Sequence, residues 1–411
     1  MGVPVLAQMA EIRPALADLN SLAILEDPYP AYRALREADP VHLMPSGEWY
    51  LTRYDDVAAM LIDKRFGREP PEGFHRLAYQ KRGNAAFDDM IAKWMVFMDP
   101  PGHTRLRRLV SAWFAPQRIE AMQPVIETLV DELLDTITDD GAMEAVSDLA
   151  YPLPVMVISA ILGLPREDRR WFRKASQQMT KALDSGRKED AVACEASVTA
   201  MQDYFREQIA DRRQRPRDDL IGRLVAEQAE DAEIGEEALL GTCIFLLWAG
   251  HETTKNLISS SFLALLRNPG QMAALRRDPE SIGSAVEEFL RFESPVQKVG
   301  RWTREEIAIG GKTVPKDRLV VGLIGAANRD PEKFPDPDRL DVARNDGGNL
   351  AFGRGAHFCI GSLLGRIEAQ VAINTVLRRL PRIAFASEKP EWQDTLVIRG
   401  LKKLPLTVER A

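Results

Sequence analysis

The chain lacks the features that mark disulfide-rich, zinc-binding and nucleic-acid-binding proteins. It has three cysteines among 411 residues, and because they are widely spaced and odd in number, they predict neither a disulfide framework nor a CxxC metal pair. Lys and Arg number 54 against 61 Asp and Glu, and the net charge of −7 provides no basic face for a nucleic acid. These absences indicate an ordinary globular protein of a reducing compartment, with no nucleic-acid partner.

Long apolar runs are also missing. The first twenty residues have neither a basic start nor a sustained apolar stretch, so they do not predict a signal peptide. The longest apolar tracts, at residues 155–164 and 243–250, are too short to cross a bilayer. We therefore expect a cytoplasmic protein without a membrane anchor. Because no repeat and no Gly/Ser linker divides the chain, we expect residues 1–411 to form a single domain.

The periodicity of apolar residues predicts a mainly α fold with a minor β subdomain. Alternation around Pro45–Gly47 predicts a β-hairpin, and we expect strands at about 41–54, 299–325 and 385–411. Asp55 and Asp56 can cap the helix that follows the hairpin. Residues 66–99 show no period but carry scattered aromatics such as Phe74, which favours a loop that covers a substrate.

The most informative stretch is FGRGAHFCIG, which ends just after Cys359. Its glycines permit sharp bends, and the residues beyond it recur at helical spacing, so Cys359 should lie where a loop enters a helix. There the unpaired N–H groups and the helix dipole stabilise a thiolate. The residues alone leave open whether this cysteine is a metal ligand, a nucleophile or an inert core residue.

The pattern Phe-Gly-x-Gly-x-His-x-Cys-x-Gly resembles the haem loop of the cytochrome P-450 superfamily. The resemblance implies haem b as cofactor, held between this loop and a long central helix, with Cys359 as the axial thiolate ligand of the iron. It also implies that His357 contacts a haem propionate and that Phe352, Gly353 and Gly361 shape the pocket around the sulfur.

The long central helix is predicted at residues 236–267, where apolar residues cover nearly every face. Its middle reads Ala-Gly-His-Glu-Thr-Thr, which introduces an acid and two hydroxyls, and Gly250 there costs about 1 kcal/mol relative to alanine. Thr253 can either bond back to the carbonyl of Ala249 or leave that carbonyl free. A polar knot in helix packing is the simpler explanation of the residues alone. The resemblance instead implies that Ala249 and Gly250 border the haem, that Thr253 hydrogen-bonds dioxygen and that Glu252 relays protons, with no role for His251.

Two sets of supporting charges follow from the same resemblance. His103 and Arg107, at i and i+4, would bind the haem propionates together with Arg301 and His357. Glu288 and Arg291, three residues apart on one helix, would form a buried structural cluster that Arg339 completes.

The implied function is that of a monomeric haem-thiolate monooxygenase, which transfers one oxygen atom of dioxygen to an apolar small molecule such as a macrolide, another polyketide or a terpenoid. Electrons would come from a ferredoxin and an NAD(P)H-dependent ferredoxin reductase, with Arg105, Arg108 and Arg354 as docking residues. Alternatives are a fatty-acid or fatty-acyl hydroxylase, a peroxide-driven or oxidative-coupling enzyme, and a haem-binding sensor without turnover. The residues expected to line the substrate pocket are Phe245, Trp248, Ala249, Val296, Gln297, Leu396 and Val397.

Overall fold

A computed structural model describes residues 22–72, 85–137, 141–185, 188–231, 233–386 and 389–409. Helices dominate these residues, as the sequence predicts. Their bounds are α1 Leu22–Glu26, α2 Tyr29–Ala38, α3 Tyr54–Ile62, α4 Ala85–Ile91, α5 Gly102–Ser111, α6 Pro116–Glu120, α7 Gln123–Asp135, α8 Pro152–Leu162, α9 Arg169–Ser185, α10 Lys188–Gln214, α11 Leu220–Glu230, α12 Glu236–Arg267, α13 Pro269–Arg277, α14 Ile282–Phe292, α15 Ile324–Ala327 and α16 Ser362–Arg379.

The strands form small sheets beside the helices. They are β1 Val41–Leu43, β2 Trp49–Leu51, β3 Phe66–Gly67, β4 Ala142–Glu144, β5 Lys298–Thr303, β6 Ile307–Ile309, β7 Lys312–Val314, β8 Leu319–Leu323, β9 Arg382–Phe385, β10 Glu391–Trp392, β11 Leu401–Lys403 and β12 Pro405–Glu409. The largest sheet has the order β1-β2-β8-β5-β3, and β1 and β2 form the predicted hairpin. A three-stranded sheet joins β4, β12 and β9.

Helix α12 lies at the centre of the largest hydrophobic core. It has the predicted bounds, and α8, α10, α14 and α16 all pack against it. An apolar surface on every face suits a helix surrounded in this way. None of the helices in the described ranges has an apolar stretch of the length that a lipid bilayer requires.

Two local expectations were wrong. Helix α3 begins after Arg53 without a side-chain cap, so Asp55 and Asp56 lie inside its first turn, where they favour the positive end of the helix dipole. The region 66–99 contains β3, α4 and a 3₁₀ turn at Met95–Phe97, whereas 73–84, which includes Phe74, lies outside the described residues.

Candidate active site

The loop that carries Cys359 is shaped by two glycines and its own hydrogen bonds. Gly353 and Gly355 have φ angles of 70° and 68°, which residues with a side chain rarely adopt. The N–H of Cys359 donates to the carbonyl of Phe352 at 2.9 Å, and α16 begins three residues after the cysteine, at Ser362. The predicted loop-to-helix junction is confirmed.

Cys359 differs from the other cysteines in its surroundings. Cys194 and Cys243 are fully buried, whereas Cys359 is only partly buried. Burial raises the pKa of the Cys359 thiol, while the N–H of Gly361 and the positive charges of Arg107 and Arg366 act to lower it. These three groups favour a negatively charged sulfur, as a metal-ligating thiolate requires.

A set of charged contacts around Arg366 stabilises the loop, and the sequence did not predict it. The guanidinium of Arg366, on α16, lies 4.4 Å from the ring centre of Phe352. Its Nε also bonds Glu287 of α14, and the amide of Asn349 donates to the Glu287 carboxylate at 2.9 Å. Cation–π and ion-pair contacts therefore fix Phe352 beside Cys359.

The four residues expected to bind carboxylates come together. The rings of His103 and His357 lie 4.0 Å apart between centroids, and Arg107 donates to the carbonyl of Phe358 at 2.7 Å. Burial lowers the pKa of His357 to about 2, and repulsion from His103 and Arg301 adds to this effect. Arg301 is itself buried, which lowers its pKa to about 10.

Arg68 is a fifth member of this group, and the sequence did not single it out. Strand β3 pairs with β5 so that Gly67 lies opposite Trp302, which brings Arg68 beside Arg301. The nearby carboxylate of Asp99 is already bound by Arg304 and by the N–H of Arg68. The Nδ1 atom of His357 is buried without a partner. An excess of buried cations fits a ligand with two carboxylates, such as haem.

The middle of helix α12 is buried except at one partly exposed place, which we call the notch. Between Leu239 and Leu265, the residues that are not fully buried are Ala249, Gly250 and Thr253. The Thr253 hydroxyl donates to the Ala249 carbonyl at 3.1 Å, which selects one of the two arrangements considered for this threonine. Ala249 and Thr253 are one turn apart and present one small, partly polar face.

Gly250 has a packing role in addition to the one expected. A Cβ atom at this position would lie 2.8 Å from Cγ1 of Ile158 on α8. The absence of a side chain therefore lets α8 pack closely on α12, which explains why a residue with low helix propensity stands there. Gly250 therefore has a packing role between two helices, and its expected position at the haem stays a prediction.

Glu252 directly precedes Thr253 of the notch, but its side chain is buried in an ionic cluster. Its Oε2 accepts a bond from Nζ of Lys255 at 2.7 Å, and its Oε1 lies 3.5 Å from Nε2 of His251. Burial acts to raise the pKa of Glu252, but the charges of Lys255 and His251 outweigh it and bring the pKa to about 2. Lys255 could have been found from its i, i+3 spacing to Glu252.

The buried pair on α14 is present, but its third member is not Arg339. Arg291 forms two bonds with Glu288, at 2.7 and 2.8 Å. Nε of Arg344, whose side chain is 9% exposed, lies 3.2 Å from Glu288. The side chain of Arg339 is 61% exposed and pairs with Asp341 at 3.0 Å. Arg339 reaches the cluster only through its carbonyl, which accepts a bond from Arg291.

Four aromatic side chains form one wall near α12. Trp94 lies 5.4 Å from Phe245, 4.9 Å from Trp248 and 6.3 Å from Phe97 between ring centres. The indole N–H of Trp248 donates to Thr180 of α9 at 2.9 Å. We call Trp94, Phe97, Phe245 and Trp248 the aromatic wall. The sequence identified the pair on α12 as pocket residues, and it placed Trp94 and Phe97 among the aromatics of the region 66–99 expected to cover a substrate.

Two of the residues expected opposite this wall face elsewhere. The amide of Gln297 donates to the Ser294 carbonyl at 2.8 Å and to the Tyr29 hydroxyl at 3.3 Å. Leu396 belongs to the hydrophobic cluster around α2, whereas Val296 and Val397 pack against the main core. Since side chains alternate along extended backbone, Gln297 and Leu396 are corrected to structural residues.

Comparisons with known proteins decide the family. The family model for cytochrome P450 matches residues 175–396. The biotin biosynthesis cytochrome P450 of Bacillus subtilis is 39% identical over 95% of this chain and 98% of its own length. This chain belongs to the cytochrome P450 family. The 6-deoxyerythronolide B hydroxylase of Saccharopolyspora erythraea is 35% identical over 95% of the chain and 96% of its own length.

Solved structures show the same likeness. P450BioI in complex with hexadec-9Z-enoic acid ligated acyl carrier protein has a TM-score of 0.88 and 37% identity, and the match covers 94% of this chain and 100% of that one. The mainly helical fold is therefore confirmed as that of a cytochrome P450. The protein is a haem-thiolate monooxygenase that uses dioxygen, and the bound haem supplies the oxygen-activating chemistry.

Proposed function

We propose that this cytochrome P450 oxidises an apolar small molecule of the polyketide, macrolide or terpenoid type. The aromatic wall carries this proposal, because its four rings pack together and Phe245 lies one turn before Ala249 of the notch on α12. The polyketide biosynthesis cytochrome P450 PksS of Bacillus subtilis, a further relative with 34% identity, supports the same substrate class.

The site residues divide into three roles in this proposal. Cys359 supplies the thiolate, since it is the one cysteine with a partly exposed side chain. The basic group holds the two haem carboxylates, through the positive charges of Arg68, Arg107 and Arg301 and the ring N–H groups of His103 and His357, whose lowered pKa values leave them neutral. Thr253 and Glu252 handle protons on the opposite side, where a hydroxyl in the notch and a buried acid are adjacent in the chain.

A Phe245→Ala variant tests the aromatic wall. Loss of the ring is expected to weaken the binding of apolar ligands about tenfold, or ~1.4 kcal/mol, because their apolar contact with the wall is reduced. The measurement is a titration of macrolides, terpenoids and long-chain fatty acids into the holoenzyme, followed by the haem absorption shift. The matched control is Phe262→Ala, a buried aromatic on the same helix, which should lower stability but not affinity. Equal ligand affinities in Phe245→Ala and the wild type would show that Phe245 does not line the substrate pocket.

Fatty-acyl chains are the second candidate, favoured by the P450BioI complex with an acylated carrier protein. The same titration, followed by product analysis, distinguishes fatty-acyl chains from the polyketide, macrolide and terpenoid class. The true substrate class should bind more tightly and be oxidised. A carrier-linked acyl chain that binds more tightly than the free acid would indicate a tethered substrate.

We propose a ferredoxin and its reductase as the electron source, and the structure changes the expected docking residues. Arg105 and Arg108 are paired with Asp231 and Glu233, and Arg354 bonds the Tyr54 hydroxyl. The ion pairs reduce the charge that Arg105 and Arg108 can offer to a partner, whereas the neutral Tyr54 hydroxyl only orients Arg354.

An exposed apolar patch lies beside the cysteine loop instead. Ile62 is 61% exposed and Phe358 is 40% exposed. Both lie next to Gly355. A Cβ atom at Gly355 would lie 3.4 Å from Cγ2 of Ile62, and the N–H of Phe358 donates to the carbonyl of Gly355. Arg107 bonds the carbonyl of Phe358, so a cation borders the patch. An apolar centre with a charged rim suits a transient protein contact.

An Ile62→Glu variant is expected to slow reduction by an acidic ferredoxin at least about tenfold, since it places a negative charge in the patch. Stopped-flow reduction of the holoenzyme measures this rate, and chemical reduction by dithionite should be unchanged. Val125→Glu, at a residue 47% exposed on α7, is the matched control and should reduce normally. Normal ferredoxin kinetics in Ile62→Glu would place docking elsewhere, and product formation with peroxide alone would favour the peroxide-driven alternative.

A further inference from the structure

The last turn of helix α9 carries a buried carboxylate that binds the backbone of a distant segment. Oδ2 of Asp184 accepts the N–H of Leu396 at 2.5 Å, and Oδ1 accepts the N–H of Val397 at 2.8 Å. The Asp184 side chain is 3% exposed, and Nζ of Lys298 lies 3.9 Å from Oδ1. Two charge-assisted hydrogen bonds therefore join α9 to a segment that begins 212 residues later in the chain.

The position of Asp184 is unfavourable for the helix itself. An acid in the last turn of a helix faces the negative end of the helix dipole, and the last turn of α9 contains no basic residue that would offset it. A buried carboxylate is also costly unless hydrogen bonds compensate for the lost water. The N–H groups of Leu396 and Val397 supply this compensation, so the contact between the two segments explains why an acid stands there.

The backbone at Val397 is held from both sides. Its N–H donates to Asp184, and its carbonyl accepts the N–H of Gln297 at 3.0 Å. Within the described stretch 395–400, Val397 is the one residue that is not buried. Because both of its backbone groups are bound, the direction of its partly exposed side chain is fixed.

A second polar contact, one turn earlier, joins the same face of α9 to the aromatic wall. Thr180 and Asp184 are four residues apart and therefore share a helix face. The Thr180 hydroxyl accepts the indole N–H of Trp248 at 2.9 Å and donates to the carbonyl of Ser176 at 2.9 Å. One turn of α9 thus fixes both Trp248 and Val397, two residues that come from different parts of the chain.

We propose that Asp184 is a positioning residue for the substrate, because it sets the place of Val397 relative to Trp248. This inference rests on the proposed function, in which the aromatic wall lines the pocket, and on the expectation that Val397 faces the same pocket. Asp184 acts through the backbone of Val397, since both of its oxygens are bound there. The Thr180 hydroxyl is likewise used within the protein, so the part of the ligand held between Val397 and Trp248 is apolar.

Amide hydrogen exchange in the holoenzyme tests the two backbone bonds directly. Asp184→Ala removes both acceptors, so exchange in a peptide that contains Leu396 and Val397 should be at least about tenfold faster than in the wild type. Asp184→Asn keeps one carbonyl oxygen and should give an intermediate rate, and it is the second variant if the first does not fold. Wild-type exchange in both variants would overturn the proposal.

Azole ligands test the positioning role without knowledge of the substrate. Clotrimazole binds haem iron through its imidazole ring and carries bulky apolar rings, whereas imidazole alone binds the iron and does not depend on the pocket walls. In Asp184→Ala, the affinity for clotrimazole should fall about tenfold, because an apolar contact with Val397 is lost, and the affinity for imidazole should stay that of the wild type. Titration of the holoenzyme, followed by the haem absorption shift, measures both affinities.

Glu144→Ala is the matched control. The Glu144 carboxylate also binds the backbone of a distant residue, since it accepts the N–H of Leu404 at 2.6 Å, but it lies on β4 in the sheet with β12 and β9. We expect this variant to show a lower melting temperature and faster exchange near Leu404, with wild-type affinity for both azoles.

The positioning role and the proposed function fail in different ways. Wild-type clotrimazole affinity in Asp184→Ala with weaker clotrimazole binding in Phe245→Ala would overturn the role of Asp184 alone. Wild-type affinity in both variants would overturn the assignment of the aromatic wall to the pocket as well. A merely structural Asp184 would lower the affinities for clotrimazole and imidazole equally, or no more than Glu144→Ala does, and either result would also overturn the proposal.

Discussion

An Arg291→Met variant is expected to lose about 3–5 kcal/mol of unfolding free energy, because it leaves the carboxylate of Glu288 buried without its main partner. The side chains of Arg291 and Glu288 are 2% and 0% exposed, so water cannot replace the lost bonds. Arg291 also donates to the carbonyls of Asn328 and Pro337, which lie on the segment leading to the cysteine loop. We therefore expect the variant to retain little haem. Urea unfolding and the haem-to-protein absorbance ratio after gel filtration measure both effects.

Arg339→Met is the matched control for this prediction. Its exposed side chain pairs with Asp341, and such surface pairs contribute about 0–1 kcal/mol. Arg344→Met should instead resemble Arg291→Met, since Arg344 is the second buried cation on Glu288. Equal losses in Arg339→Met and Arg291→Met would contradict the assignment of the cluster.

A Cys359→Ser variant is expected to lose the absorption that thiolate ligation gives to the ferrous carbonyl complex, and its turnover should fall to background. The N–H of Gly361 and the nearby arginines favour the deprotonated form of a thiol. A serine hydroxyl is far less acidic, so the same groups do not deprotonate it. Difference spectra of the reduced protein and product analysis measure the two losses.

Cys243→Ala provides the comparison for the cysteine ligand. Cys243 is fully buried within α12, so its replacement is expected to change stability by the small amount of one lost core atom while the spectrum stays that of the wild type. If Cys359→Ser kept the thiolate spectrum, a different cysteine would be the ligand.

The features that were predictable are those that depend on neighbours in the chain. The loop before Cys359 needs glycines at fixed positions, and α12 needs apolar residues on every face, so both are visible as local patterns. Lys255 belongs to the same class, because its distance from Glu252 follows from helix geometry.

The features that were missed depend on the path of the chain in space. Arg68 reaches Arg301 only because β3 pairs with β5, two strands far apart in sequence. Arg344 replaces Arg339 beside Glu288 because the intervening chain turns, and both are arginines of the same irregular segment. Sequence spacing cannot distinguish them, since no helix or strand period applies there.

The group of buried cations beside His357 has a consequence for the life of the protein in the cell. Burial, with mutual repulsion added to it, lowers the pKa values of Arg68 and His357 and opposes folding, and a ligand with two carboxylates offsets this cost only when it binds. Binding of haem to the native state alone then shifts the unfolding equilibrium by mass action. The polypeptide made during haem shortage spends more time unfolded and is exposed to proteases. Its abundance should therefore follow the supply of haem even when its synthesis is constant.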